Sequence, residues 1–123
     1  MGVSEALKSR NPDIDVIALE PEGSAAISGG EQGSFAMQGW TGIVPPHFER
    51  DRVDAVETIG DDKAVEMTLR LSREEGIFAG ISTGANVVGA LRVAERLGPG
   101  DRVVTLAVDS GFKYMSVDPY GGL

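Results

Sequence analysis

Two short stretches combine glycine with hydroxyl or carboxylate side chains at spacings suited to holding a ligand. The longer is Glu75-Gly76-Ile77-Phe78-Ala79-Gly80-Ile81-Ser82-Thr83-Gly84-Ala85-Asn86. Gly76, Gly80 and Gly84 recur every four residues, so the backbone can turn sharply and approach a bound group without interference from a Cβ. Ser82 or Thr83 is placed to cap the helix that follows, whose first N–H groups have no intrahelical partner. A well-capped helix after a tight connection has the same pattern, so spacing alone leaves both readings open. The second stretch, Asp109-Ser110-Gly111, closes the apolar run Arg102-Val103-Val104-Thr105-Leu106-Ala107-Val108. In open α/β sheets ligands collect outside the carboxyl ends of the strands, which makes Asp109 and Ser110 candidate crevice residues. A plain Asp-Ser-Gly turn is the simpler alternative.

Composition removes several other chemistries. Without cysteine there is no disulfide, thiolate metal site or cysteine nucleophile, and one histidine, His47, does not make a histidine metal cluster or a Ser-His triad. His47 beside Pro46 reads as a surface residue, and no metal site is expected. A net charge of −8 without a basic run argues against nucleic acid or an anionic membrane as partner. No window is apolar and long enough for a transmembrane helix, and the N-terminus lacks the layout of a signal peptide, so a cytoplasmic protein is expected. The 123 residues suffice for one domain burying roughly two thirds of its unfolded surface.

The elements that must position these stretches alternate between helix and strand. Val3, Ala6 and Leu7 have helical spacing, ended by Asn11-Pro12, and Ile14–Leu19 reads as a buried parallel strand. Residues 20–51 lose periodicity but carry Phe35, Met37, Trp40, Ile43 and Val44, which predicts an ordered functional loop, with Trp40 as a packing anchor. Val53–Ile59 follows as a short strand. Gly60-Asp61-Asp62 then opens a helix to about Glu75, with Ala64, Val65, Thr68, Leu69 and Ser72 inward and Glu66 and Arg70 paired outside. Another helix is expected from about Gly84 to Leu97, with Val87, Val88, Leu91 and Ala94 on one side, and Arg102–Val108 as a second buried strand. The order predicts an α/β class with a mostly parallel sheet flanked by helices.

Three stretches, in order, resemble one family, the fold-type II pyridoxal-phosphate enzymes, and within it the cysteine synthases. Ser28-Gly29-Gly30-Glu31-Gln32-Gly33-Ser34-Phe35-Ala36-Met37-Gln38-Gly39 is similar to the family's Ser-Gly-Gly-Glu-Pro-Gly-Pro-His-Lys-Ile-Gln-Gly loop. Glu75–Ala85 resembles Glu-Gly-Ile-Leu-Ala-Gly-Ile-Ser-Ser-Gly-Ala, and Asp109–Ser116 resembles Ser-Ser-Gly-Glu-Arg-Tyr-Leu-Ser. Glu20-Pro21 fits the family's Glu-Pro. The resemblance spans essentially the whole chain and implies a partial fold-type II, tryptophan synthase β-like domain.

By that resemblance Ser110 matches the serine that hydrogen-bonds the pyridine nitrogen of pyridoxal phosphate, and Gly80 and Ser82 join it as cofactor-binding residues. Gln38, Gly39, Thr41 and Gly42 match the loop on the substrate side, with Thr41 and Gly42 standing where the family has glycine and alanine and Phe35 and Ala36 replacing its histidine and lysine. The family's Schiff-base lysine and its Gly-Thr-Gly-Gly-Thr phosphate loop have no counterpart here, and none of Lys8, Lys63 and Lys113 sits in the lysine motif. No catalytic residue is therefore assigned. The expectation is the C-terminal part of an enzyme converting O-acetylserine and sulfide to cysteine and acetate, inactive alone, whose complete form is a homodimer acting on a small amino-acid substrate. A cystathionine β-synthase-like or threonine dehydratase-like parent, or a non-catalytic α/β module that pairs with another chain, are the alternatives.

Overall fold

The apolar run around Val16 forms strand β1, Ile17–Pro21, beside strand β2, Ala55–Ile59. β1 starts and ends later than its sequence predicts, and its first three residues are only half-buried. The computed structural model describes residues 1–117 and 119–121, which fall into two units: Met1–Phe35 with Thr41–Thr58, and Ala36–Trp40 with Ile59–Leu123.

In the first unit, helix α1, Gly2–Lys8, and the two strands are tied together by Asp54. The Asp54 N–H donates to the Val16 carbonyl at 2.9 Å and the Val16 N–H donates to Asp54 Oδ2 at 2.7 Å. The Lys8 ammonium at the end of α1 bonds Asp54 at 2.7 Å and the Ile14 carbonyl at 3.0 Å. That junction starts both strands at the same level, and the sheet is parallel. The connection between them is the long loop. Besides the 3₁₀ turns Glu22–Ser24 and Arg50–Arg52, it has no regular element.

Buried polar groups fold this loop. Glu20, almost fully buried, accepts the N–H groups of Ile27 at 2.6 Å and Ser28 at 3.1 Å. Buried Ser24 donates to the Gly42 carbonyl at 2.9 Å and accepts the Gly33 N–H at 3.1 Å. A loop backbone carries donors that need partners when buried, and these two side chains supply acceptors where no strand does. Trp40 is half-buried, whereas Met37 is the fully buried apolar residue of the segment.

In the second unit, helix α2, Asp61–Glu74, packs on helix α3, Ile81–Ala94. A Cβ at Gly84 would overlap the Ala64 carbonyl and Thr68 Oγ1, so glycine sets how closely the helices approach. The buried positions of α2 are Ala64 and Thr68, as expected, and Leu71, while Val65, Leu69 and Ser72 are half-buried. Its outer charges pair as Arg70–Glu74 and Lys63–Glu66 rather than as Glu66–Arg70. Gly76, at φ +69°, ends α2 as predicted.

Two expectations fail here. The third helix begins at Ile81 rather than Gly84, and its N-cap is Gly80 with no side-chain cap, so Ser82 and Thr83 lie inside the first turn with buried side chains. Gly80 is held in extended conformation by pairing with Asp109, which lets the helix start at once after it. The run Arg102–Val108 is not a buried strand: its residues are exposed, and among the described residues no strand lies beside it. Strand propensity needs a neighbouring ladder to become a strand, and the described two-stranded sheet consists of β1 and β2. The predicted apolar side of α3 is likewise only half covered, with Leu91 and Ala94 exposed.

Candidate cofactor site

The two chemistry-bearing stretches meet in the second unit. Ala79 and Ser110 form an antiparallel bridge, flanked by Gly80 N–H to the Asp109 carbonyl and Gly111 N–H to the Phe78 carbonyl, both at 3.1 Å. The bridge brings Ser110 beside Gly80 at the start of α3, with Ser82 in the first turn. Two glycines make the approach possible. A Cβ at Gly80 would overlap Asp109 Oδ1, and one at Gly111 would sit 2.8 Å from the Phe78 ring.

Ser110 is exposed and begins the 3₁₀ turn Gly111–Tyr114, its Oγ accepting the Phe112 N–H at 3.3 Å. A hydroxyl that accepts from its own turn keeps its proton for an outside acceptor. Ser82, by contrast, is buried.

Beneath Ser110 lies a carboxylate. Asp109 Oδ2 accepts the Tyr114 hydroxyl at 2.7 Å and lies 3.5 Å from the Lys113 ammonium, while Oδ1 is buried without a partner among the described residues. The hydrogen bond to Asp109, reinforced by burial and by the negative charge, pushes the Tyr114 phenol up to about 12. The Tyr120 hydroxyl donates to the Ala79 carbonyl at 2.8 Å, and burial raises its pKa as well. The rings of Phe78, Phe112 and Tyr120 meet around the same bridge, with centroids 4.6–5.1 Å from that of Phe78.

The predicted substrate-side loop is divided between the units. Gln38 and Gly39 belong to the second, both exposed, and Gly39 has φ +88°. Thr41 and Gly42 belong to the first, where Thr41 donates to the Ile43 carbonyl at 3.1 Å and Gly42, at φ +56°, lies against the Phe35 ring. In the second unit the Ala36 N–H donates to Asp61 Oδ2 at 2.5 Å, and Asp61 Oδ1 is buried without a partner among the described residues. The three lysines are each engaged by a carboxylate: Lys8 by Asp54, Lys63 by Glu66 and Lys113 by Asp109. Among the described residues no cluster could hold a metal ion.

Several residues make contacts that their sequence pattern did not indicate. Thr83 Oγ1 accepts the Val108 N–H at 3.1 Å, and Asn86 Nδ2 donates to the Leu106 carbonyl at 3.0 Å, so α3 holds the run that leads to Ser110. Their three-residue spacing, which puts both on one helix face, was the available signal. Asp61, read as part of a turn and cap, instead fastens the loop at Ala36, and the signal for Tyr114 was its match to the tyrosine of the motif that Asp109–Ser116 resembles.

The arrangement presents a hydroxyl at the end of an extended run, beside a glycine-lined helix start. Residues 1–109 match the family described as Pyridoxal-phosphate dependent enzyme, and the chain belongs to that family. Within it the chain is 41% identical over 120 residues to a cysteine synthase of Staphylococcus aureus, a match covering 97% of this chain and 39% of that protein. Its fold is similar to that of O-ureido-L-serine synthase, with a TM-score of 0.93 and 35% identity over 100% of this chain and 39% of the other. It is also similar to an O-acetylserine-dependent cystathionine β-synthase from Helicobacter pylori, with a TM-score of 0.89 and 38% identity over 97% of this chain and 39% of the other. The chain thus spans about two fifths of the length of the relatives it matches. Members of the family depend on pyridoxal phosphate. The exposed Ser110 hydroxyl suits one end of that group.

Proposed function

We propose that this chain forms the C-terminal part of the active site of a cysteine synthase-like enzyme, which replaces the acetate of O-acetylserine with sulfide to give cysteine. Pyridoxal phosphate, when bound, supplies the electron sink for loss and replacement of the β-substituent. The chain's own part is to hold the ring. Ser110 donates its hydroxyl proton to the pyridine nitrogen as a neutral partner, and Gly80 lets the backbone of the helix start come close to the cofactor. Gln38 and Gly39, in the same unit as Ser110, are assigned to the substrate side.

The observation that carries this reading is the exposed Ser110 hydroxyl, which accepts from the Phe112 N–H and has no acceptor for its own proton among the described residues. The chain by itself is expected to form cysteine from O-acetylserine and sulfide no faster than a control containing only the cofactor. Turnover above that control overturns the assignment of the covalent anchor to other residues. Similarity to the cystathionine β-synthase makes homocysteine the second acceptor to assay, with threonine as the test for a dehydratase.

A further inference from the structure

Two residues depart together from the stretches that this chain resembles. Phe78 stands where the family's Glu-Gly-Ile-Leu-Ala-Gly stretch has leucine, and Phe112 where its Ser-Ser-Gly-Glu-Arg-Tyr stretch has glutamate. The fold brings these two positions into contact. Their ring centroids lie 5.1 Å apart at an interplanar angle of 80°, the edge-to-face arrangement that aromatic quadrupoles favour. Phe112 is nonetheless 77% exposed, so the removal of apolar surface from water explains little of why a ring stands on this turn.

What the contact reaches is the turn that presents Ser110. Ser110 Oγ accepts the Phe112 N–H at 3.3 Å, long for a hydrogen bond between nitrogen and oxygen, and a bond of that length restrains the side chain weakly. The ring beside it is held more firmly. The Gly111 N–H donates to the Phe78 carbonyl at 3.1 Å, and the Phe78 ring lies so close over Gly111 that a Cβ there would stand 2.8 Å from it. Phe78 also packs against Tyr120, which is buried, with centroids 4.6 Å apart and the Tyr120 hydroxyl bonded to the Ala79 carbonyl. Residue 112 is thus tied through its side chain to a fixed ring, and its N–H is the group on which Ser110 Oγ rests.

We propose that Phe112 is a positioning residue: its edge-to-face contact with Phe78 fixes the Phe112 N–H and, through it, the rotamer in which Ser110 presents its hydroxyl. Its role rests on the reading of Ser110 as the partner of the pyridine nitrogen. A leucine and a glutamate at these two positions cannot make the contact, so this way of holding the turn belongs to the aromatic pair.

The test reads the Ser110 Hα–Hβ couplings by NMR in the 123-residue chain and in its Phe112→Leu, Phe112→Glu and Phe112→Tyr variants. The parent is expected to show one dominant χ1 rotamer at Ser110. In Phe112→Leu and Phe112→Glu the minor rotamers should gain about two- to twelvefold in population relative to the dominant one, the factor that an aromatic pair contributes to an equilibrium. Phe112→Tyr keeps the ring and should restore the parent couplings. Phe78→Leu should act as Phe112→Leu does, and the double variant should go no further than either, because each removes the same contact. Amide exchange within α2 should stay unchanged in the Phe112 variants, since the side chain they alter is exposed. Unchanged Ser110 couplings in Phe112→Leu, additive effects of the two leucine substitutions, or faster exchange in α2 matching the change at Ser110 each overturn the proposal. None of these readouts uses cofactor or turnover, so failure of the aromatic contact to hold Ser110 and failure of Ser110's assignment to the pyridine nitrogen are separate results.

Discussion

Gly80 donates its backbone N–H to the Asp109 carbonyl at 3.1 Å, and Asp109 Oδ1 fills the space into which a Cβ on Gly80 would project. The same space is bounded by Tyr114, whose Cε2 would lie 2.6 Å from that Cβ. One glycine therefore sets how closely the helix start and the Ser110 turn approach.

Gly80→Ala is expected to destabilise the chain by about 1–3 kcal/mol, the usual range for overfilling a packed site. The neighbouring groups are a bridge backbone and a carboxylate already fixed by Tyr114, so neither can move cheaply. Urea denaturation measures the change, and a loss below about 0.5 kcal/mol would mean the bridge yields without strain.

Asp109→Asn should bring the Tyr114 phenol down from about 12 toward its ordinary value of 10, because the hydrogen bond to the carboxylate is the largest cause of its elevation. Tyrosinate absorbance during alkaline titration reads this directly. The stability linkage follows the same sign. A phenol whose pKa is raised on folding contributes fully below about pH 10, and that contribution is lost as pH climbs from about 10 to about 12. The alkaline transition of Asp109→Asn should therefore lose this component.

Thr83→Val keeps the buried shape and removes the acceptor for the Val108 N–H. A cost of about 0.5–1.5 kcal/mol is expected, since water reaches Val108 and replaces part of the bond. The more specific readout is hydrogen exchange at Val108, which should speed up while amides within α2 stay unchanged.

Glu20→Ala leaves the Ile27 and Ser28 N–H groups without their carboxylate. Bonds to a charged acceptor contribute about 1.5–3 kcal/mol each, and the turn at residues 25–30 otherwise rests on three short-range backbone bonds, from Ala26, Gly29 and Gly30. Limited proteolysis should cut there first in the variant and not in the parent. Equal resistance in both would show that the turn is held by its own backbone bonds, such as Gly30 N–H to the Ala25 carbonyl at 2.9 Å.

Local signals in the sequence determined the helices and the class of the fold. Apolar periodicity and the glycine at residue 76 place α1 and α2 within a residue or two of where they stand, and β-branched runs locate β1 and β2. The motif order was enough to identify the family, because three stretches similar to the family's follow one another in its order along the chain. Tertiary structure alone decided the rest. Ser82 and Thr83 read as caps until the Ala79–Ser110 bridge fixed Gly80 in that place, and Arg102–Val108 reads as a buried strand although burial depends on a neighbour it does not name. Glu20 and Ser24 read as ordinary polar residues, yet they anchor the long loop, because the need of a buried N–H for an acceptor appears only once the backbone around it has folded.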